Sequence, residues 1–206
     1  MNLFSFFTSR WETILDLTVE HFIMVLTAMV ISILLGTAVG IIITKNKKVA
    51  SIVLNITNIL MTIPSLALFS LLIPILGIGD APAIVGLVAY TQLPIVRNVY
   101  TGITNIKPSI IEAARGMGLT ETKILYKIKI PLAFPSIMTG IRTATVMGIG
   151  IGAIAGYIGA GGLGVYIFRG ISRTNDNMII IGAVLISIIA IVTDKLLEKV
   201  QKKFEI

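Results

Sequence analysis

Long apolar runs alternate along this chain with short charged links, and the runs are too long to be strands. A helix needs roughly 20 mostly apolar residues to cross a bilayer. Five stretches reach that length: about Phe22 to Thr44, Val49 to Leu76, Pro82 to Ile103, Pro135 to Tyr157 and Met178 to Leu197. The pattern predicts an all-α integral membrane protein with five transmembrane helices. Residues 21–198 form the membrane domain and residues 199–206 a cytoplasmic tail. Residues 1–20 read as a partly amphipathic, interfacial or extracytoplasmic segment with Trp11 as an anchor. They lack the basic, apolar and small-residue sequence of a signal peptide.

The links fix an expected orientation. Lys45, Lys47 and Lys48 join the first two runs, and Lys107, Arg115, Lys123, Lys127 and Lys129 join the third and fourth. Lys195, Lys199, Lys202 and Lys203 end or follow the fifth. With five spans these regions fall on one side, which the positive-inside rule makes cytoplasmic. The N-terminus is then outside and the C-terminus inside.

Composition supports the bilayer reading. Charged residues are 13% of the 206, about half of what a soluble domain carries, so a water-facing surface could not be covered. The net charge of +7 sits in the links and reads as topology, not as a nucleic-acid footprint. The chain has no cysteine and one histidine, His21. Disulfides and thiolate sites are excluded, and no metal site or cofactor is expected.

Several features inside the runs bear on function. Gly36 and Gly40, and Gly148, Gly152 and Gly156, recur every four residues and make smooth helix faces. Packing within the chain and association of subunits are both open. Asn55, Asn58, Thr62 and Ser65 share one face of the second run. They either line a pathway or bond neighbouring helices. Pro64 should bend that helix. Tyr90, Pro94 and Arg97 share a face of the third run, with Arg97, like Arg142 in the fourth, read as an interfacial anchor. No acidic residue lies in the middle of a run, which weighs against a proton-coupled carrier. Residues 159–164, GAGGLG, match the dinucleotide fingerprint by letter only. They follow a membrane helix instead of a strand, so a glycine-rich turn is the better reading. No Walker motif is present.

The link from Asn105 to Pro131 predicts two short helices. Ser109 and Glu112 have capping-box spacing, Gly118 suits a helix C-terminal stop, and Thr120 can cap a second helix that Pro131 ends. Within this link, Glu112-Ala113-Ala114, three residues, Gly118, nine residues, then Ile128-Lys129-Ile130-Pro131 resembles the EAA motif of ABC importer permeases, EAA-x3-G-x9-I-x-L-P. Ile130 in place of leucine is the one departure. Residues 62–68, 93–98 and 157–164 resemble the osmoprotectant branch of that family.

The resemblance implies a type I ABC importer permease core in a bacterial plasma membrane. It implies that Glu112, Ala113, Ala114 and Gly118 dock a separate ATPase subunit, while Ile128 and Pro131 set the return to the fourth span. It further implies a second permease subunit, identical or related, and an extracytoplasmic substrate-binding protein that is a separate chain or fused to a companion. Glycine betaine, carnitine, choline or related quaternary ammonium compounds are the implied solutes. Asn55, Asn58, Thr62 and Tyr90 are the candidate lining residues. A methionine or other amino-acid permease, a secondary transporter and a non-transporting membrane scaffold are the alternatives.

Overall fold

A computed structural model describes residues 3–204. Two residues of the expected N-terminal segment and two of the expected tail lie outside the described residues. The helices are α1 (Leu3–Ser9), α2 (Trp11–Ile43), α3 (Lys47–Thr62), α4 (Ser65–Leu76), α5 (Asp80–Thr104), α6 (Pro108–Gly116), α7 (Glu121–Ile124), α8 (Ile130–Ala155), α9 (Gly164–Ser172) and α10 (Asp176–Lys202). A π turn, Leu125–Lys129, joins α7 to α8, and a 3-10 turn, Gly156–Ile158, follows α8.

Helix α5 is the centre of the bundle, packed by α2, α3, α4 and α8. Leu87, Thr91, Ile95 and Val99, at steps of four, are fully buried along it. The glycines of α2 permit close approach to α5. A Cβ on Gly36 would sit 2.7 Å from Ile95 Cγ2, and one on Gly40 would sit 2.6 Å from Val99 Cβ. This GxxxG face is therefore filled within the chain. The order of the contacts, Gly36 with Ile95 and then Gly40 with Val99, makes α2 and α5 parallel. Helix α8 runs the other way, with Gly140 against Pro94 and Asn98 and Gly148 against Thr91. Helix α10 covers a further side of α8.

One end of the bundle, the loop end, thus collects the end of α2, the start of α3, the α6–α7 link and the last turns of α10. The opposite end carries α1, Asp80, the glycine-rich turn and α9. There Phe6, Ile14, Tyr166, Met178 and Ile181 form a small separate core.

Three segments are long and apolar enough to span a membrane: Trp11–Ile43, Glu121–Ile158 and Asp176–Lys202. The pair α3 and α4 makes a fourth if its two halves count as one. Helix α5 falls outside that set, so apolarity does not establish a count of five. The reason is placement: wrapped by four helices, α5 can carry the half-buried Gln92 and Asn98, since their surroundings are protein, while Arg97 stands exposed. One boundary also moves. The first membrane helix begins at Trp11, well before Phe22, and so takes in residues 11–20 of the expected N-terminal segment, with a break at Arg10 between it and α1.

The second run is not one bent helix. It breaks by 99° between α3 and α4. Pro64 offers no N–H, and its ring pushes the preceding residue out of the helical region. Ile63 accordingly sits at φ −68°, ψ 129°. The Tyr90 hydroxyl donates to the Ile63 carbonyl freed by the break.

Candidate functional site

The α6–α7 link is built by local rules. Pro108 occupies the first turn of α6 and fixes the start there, with Lys107 at the N-cap and no side-chain cap. Proline suits that position because its missing N–H has no intrahelical partner to lose. The expected Ser109–Glu112 capping box does not form, because the helix has already begun before Ser109. The other end follows expectation. Gly118 takes φ +79°, its N–H donates to the Arg115 carbonyl (2.9 Å), and the Leu119 N–H donates to the Ala114 carbonyl (3.2 Å). This pair of bonds is a Schellman stop, which calls for a left-handed residue at that position. Thr120 then caps α7, its hydroxyl accepting from the Lys123 N–H (3.4 Å).

Across the turn, the Arg115 Nε–H donates to Glu121 Oε1 (2.6 Å). The guanidinium holds the Glu121 carboxyl below the usual carboxylate range, chiefly through that hydrogen bond. Arg115 is correspondingly raised by the same bond.

Of the motif residues, Glu112, Ala113 and Gly118 are exposed, and Ala114 is buried at 1% exposure. A Cβ on Gly116 or Gly118 would meet nothing within 4 Å. Ile110 and Met117 (73% exposed) stand on the open side as well. Ala114 fastens α6 to its support, and the remaining surface is free. Pro131 does not end the second short helix. From Glu121 the chain stays helical into α8, and the Ile130 N–H reaches back five residues to the Leu125 carbonyl. The π turn absorbs the proline, which has no N–H to give. Ile128 lies within this turn, half-buried.

The candidate lining residues separate. Asn55, Asn58 and Thr62 are exposed along one face of α3. Tyr90 is buried, 4% exposed, with its hydroxyl engaged by Ile63, so it braces the break and does not face open space.

A second polar site escapes a reading by runs. Arg142 donates through Nε and Nη2 to both carboxylate oxygens of Asp194 (2.9 and 3.0 Å) and through Nη1 to Gln201 Oε1 (2.9 Å). Gln201 Nε2–H in turn donates to Thr139 Oγ1 (3.2 Å). Glu198 stands 3.9 Å from Arg142 and pairs with Lys202 at 2.6 Å. Arg142 is therefore a cross-link between α8 and α10 and not a lone interfacial anchor. The available signal was one acid and one base at similar depth from the loop end of two antiparallel runs. Beside it, Thr139, Thr143, Val146 and Gly150 expose one face of α8, and the first three border a cavity of ≈550 Å³.

His21 has a structural place. It is fully buried, and its Nε2–H donates to the Ile149 carbonyl (3.1 Å). Gly162 packs on its ring, and the Gly162 N–H donates to the neighbouring Glu20 carboxylate (3.0 Å). The glycine-rich stretch is thus a turn seated on α2, with Gly159, Gly161 and Gly162 at positive φ.

An α6 platform ahead of a membrane helix, on a bundle centred on α5, has counterparts among known proteins. The sequence model for the inner membrane component of binding-protein-dependent transport systems matches residues 32–206. The chain belongs to this family of ABC importer permeases.

Within the family it is 40% identical over 202 residues to the choline transport system permease protein OpuBB of Bacillus subtilis, covering 98% of this chain and 93% of that one. It is 44% identical over 191 residues to the osmoprotectant import permease protein OsmW of Salmonella typhimurium, covering 90% and 89%. The fold matches a permease chain of the MetNI methionine ABC transporter in an inward-facing crystal form. The TM-score is 0.85 at 25% identity, over 94% of this chain and 96% of that one. The fold is that of a type I importer permease, and the chain is a multi-pass membrane protein.

Proposed function

We propose that this permease is the membrane subunit of an ATP-driven importer for compatible solutes: glycine betaine, carnitine, choline or related quaternary ammonium compounds. The loop end faces the cytoplasm, the N-terminus lies outside, and a separate ATPase subunit seats on α6. The observation that carries the coupling role is the open face of α6. Glu112 and Ala113 stand exposed there, the one offering a carboxylate and the other a small side chain that admits a close partner, beside a glycine stop with empty space around it. Helix α7, the π turn and α8 form one helical run, so a push on the platform reaches the membrane helix directly. A second permease subunit encloses the path. An extracytoplasmic binding protein delivers solute to the opposite end.

The solute class rests on relatives named for choline, carnitine and osmoprotectants at 36 to 44% identity over most of this chain. The fold's likeness to a methionine transporter at 25% keeps methionine as the second reading. Competition for ATP-driven uptake in proteoliposomes separates the two. Choline and glycine betaine should compete, and methionine should not. For coupling, Ala113→Trp with Gly118→Val should abolish uptake and co-purification of the cognate ATPase. Unchanged co-purification would remove α6 from the interface.

A further inference from the structure

Beyond orientation, the basic charge of the α6–α8 link has no role in the reading above, and the outward face of α2 offers one. Ile33, Thr37, Ala38, Ile41 and Ile42 line a groove of ≈480 Å³ along α2, and Tyr126 joins it from the π turn. From Ile33 to Ile42 the helix rises about 14 Å. That is close to half of the roughly 30 Å hydrocarbon core of a bilayer. The groove therefore has the depth of one leaflet and runs from mid-membrane to the loop end.

What stands at that end is cationic. Lys45 follows Ile42 by less than one turn, while Lys123 and Lys127 flank Tyr126 in sequence; all three are exposed. Among the described residues none of them forms an ion pair with a carboxylate. Tyr126 is 64% exposed, with an apolar ring and a polar tip, the chemistry that favours the headgroup level. An apolar slot about one leaflet deep, with an aromatic in its lining and exposed lysines within a turn of its end in sequence, has the order of chemistry of a phospholipid: acyl chain, glycerol level, anionic phosphate.

We propose that this groove is a binding site for an anionic phospholipid. One acyl chain lies along Ile33 to Ile42, Tyr126 packs at the chain–headgroup junction, and Lys45, Lys123 and Lys127 hold the phosphate. Unlike a diffuse basic surface, such a site needs both the charge and the slot. The proposal requires only that the chain resides in a bilayer. It is independent of the solute and of the ATPase.

The test uses the full-length chain in nanodiscs of one part phosphatidylglycerol to three parts phosphatidylcholine, followed by native mass spectrometry of retained lipid. The wild type should retain phosphatidylglycerol above its share of the bilayer. Lys123→Gln and Lys127→Gln should each lower the retained phosphatidylglycerol-to-phosphatidylcholine ratio, relative to wild type, by about fivefold per lysine removed. Ala38→Trp, which fills the slot and leaves every charge in place, should lower it as well. Far-UV circular dichroism and a monodisperse elution profile establish that each variant is folded. Retention in proportion to bilayer composition would overturn the proposal. So would loss with the lysine variants and full retention in Ala38→Trp, which would reduce the effect to surface charge.

Discussion

Arg142 commits donors to two groups at once, and both acceptors lie on the last turns of α10. Its guanidinium meets Asp194 edge-on, the bidentate geometry in which arginine pairs most strongly with a carboxylate. The two side chains are 23% and 34% exposed, so the pair lies between the exposed case, worth under about 1 kcal/mol, and the fully buried case, where removing one partner costs about 3–5 kcal/mol. Arg142→Met should then destabilise the chain by about 1–3 kcal/mol, because Asp194 keeps its charge and loses its partner. Adding Asp194→Leu should recover most of that loss. Thermal unfolding of the detergent-purified variants measures both. A double variant as unstable as the single one would mean that the arginine acts through packing alone. Read by itself, an arginine two or three turns into a span is indistinguishable from a snorkelling anchor. Its partner lies 52 residues further on, and only the antiparallel packing of α8 and α10 brings the two together.

At the scale of elements, the α6–α7 link shows which local rules a sequence declares. Gly118 and Thr120 were legible because each satisfies a backbone need with its own chemistry. The capping box was not, because Pro108 begins the helix first. The π turn was hidden because nothing in Leu125 to Lys129 marks a register shift; its cause, Pro131, lies beyond it. The turn between the two helices is further tied by the Arg115–Glu121 hydrogen bond. Since the Glu121 carboxyl is held below its ordinary range, the tie is fully present above that ordinary range and is lost as pH falls through the lowered value. An NMR titration of the Glu121 carboxyl should give a lower midpoint in the wild type than in Arg115→Gln. Equal midpoints would show that the contact has no thermodynamic weight, as happens for many exposed pairs. Because both groups are exposed, added salt should narrow the difference.

For the whole molecule, the run pattern gave the bundle but not the roles of its surfaces. Apolar length located α2, α8 and α10. It could not tell that α5 is the helix the others wrap, since burial in protein and burial in lipid select similar residues. The same ambiguity attends polar faces. Tyr90 and the asparagines of α3 looked alike in sequence, yet Tyr90 is buried on α5 with its hydroxyl on the Ile63 carbonyl at the break, while Asn55, Asn58 and Thr62 are open. An open amide face on a membrane helix must meet water or another polar surface, because exposure to hydrocarbon leaves its groups unsatisfied. Two outcomes follow for Asn55→Leu with Asn58→Leu. If the face borders the translocation path, subunit association and ATPase binding stay intact while the KM for solute in ATP-driven uptake shifts and kcat changes less. If it joins the two permease subunits, the assembly dissociates, which light scattering on the eluted complex detects as a fall in mass. The neighbouring apolar residues of α3 favour the first outcome. Ile52, Ile56 and Ile59 are exposed on the adjoining face and supply the hydrocarbon-facing surface, so the amides need not lie between helices for α3 to sit stably in the membrane. The expected result is an intact complex with altered solute affinity, and a fall in assembly mass would reassign the stripe to the subunit interface.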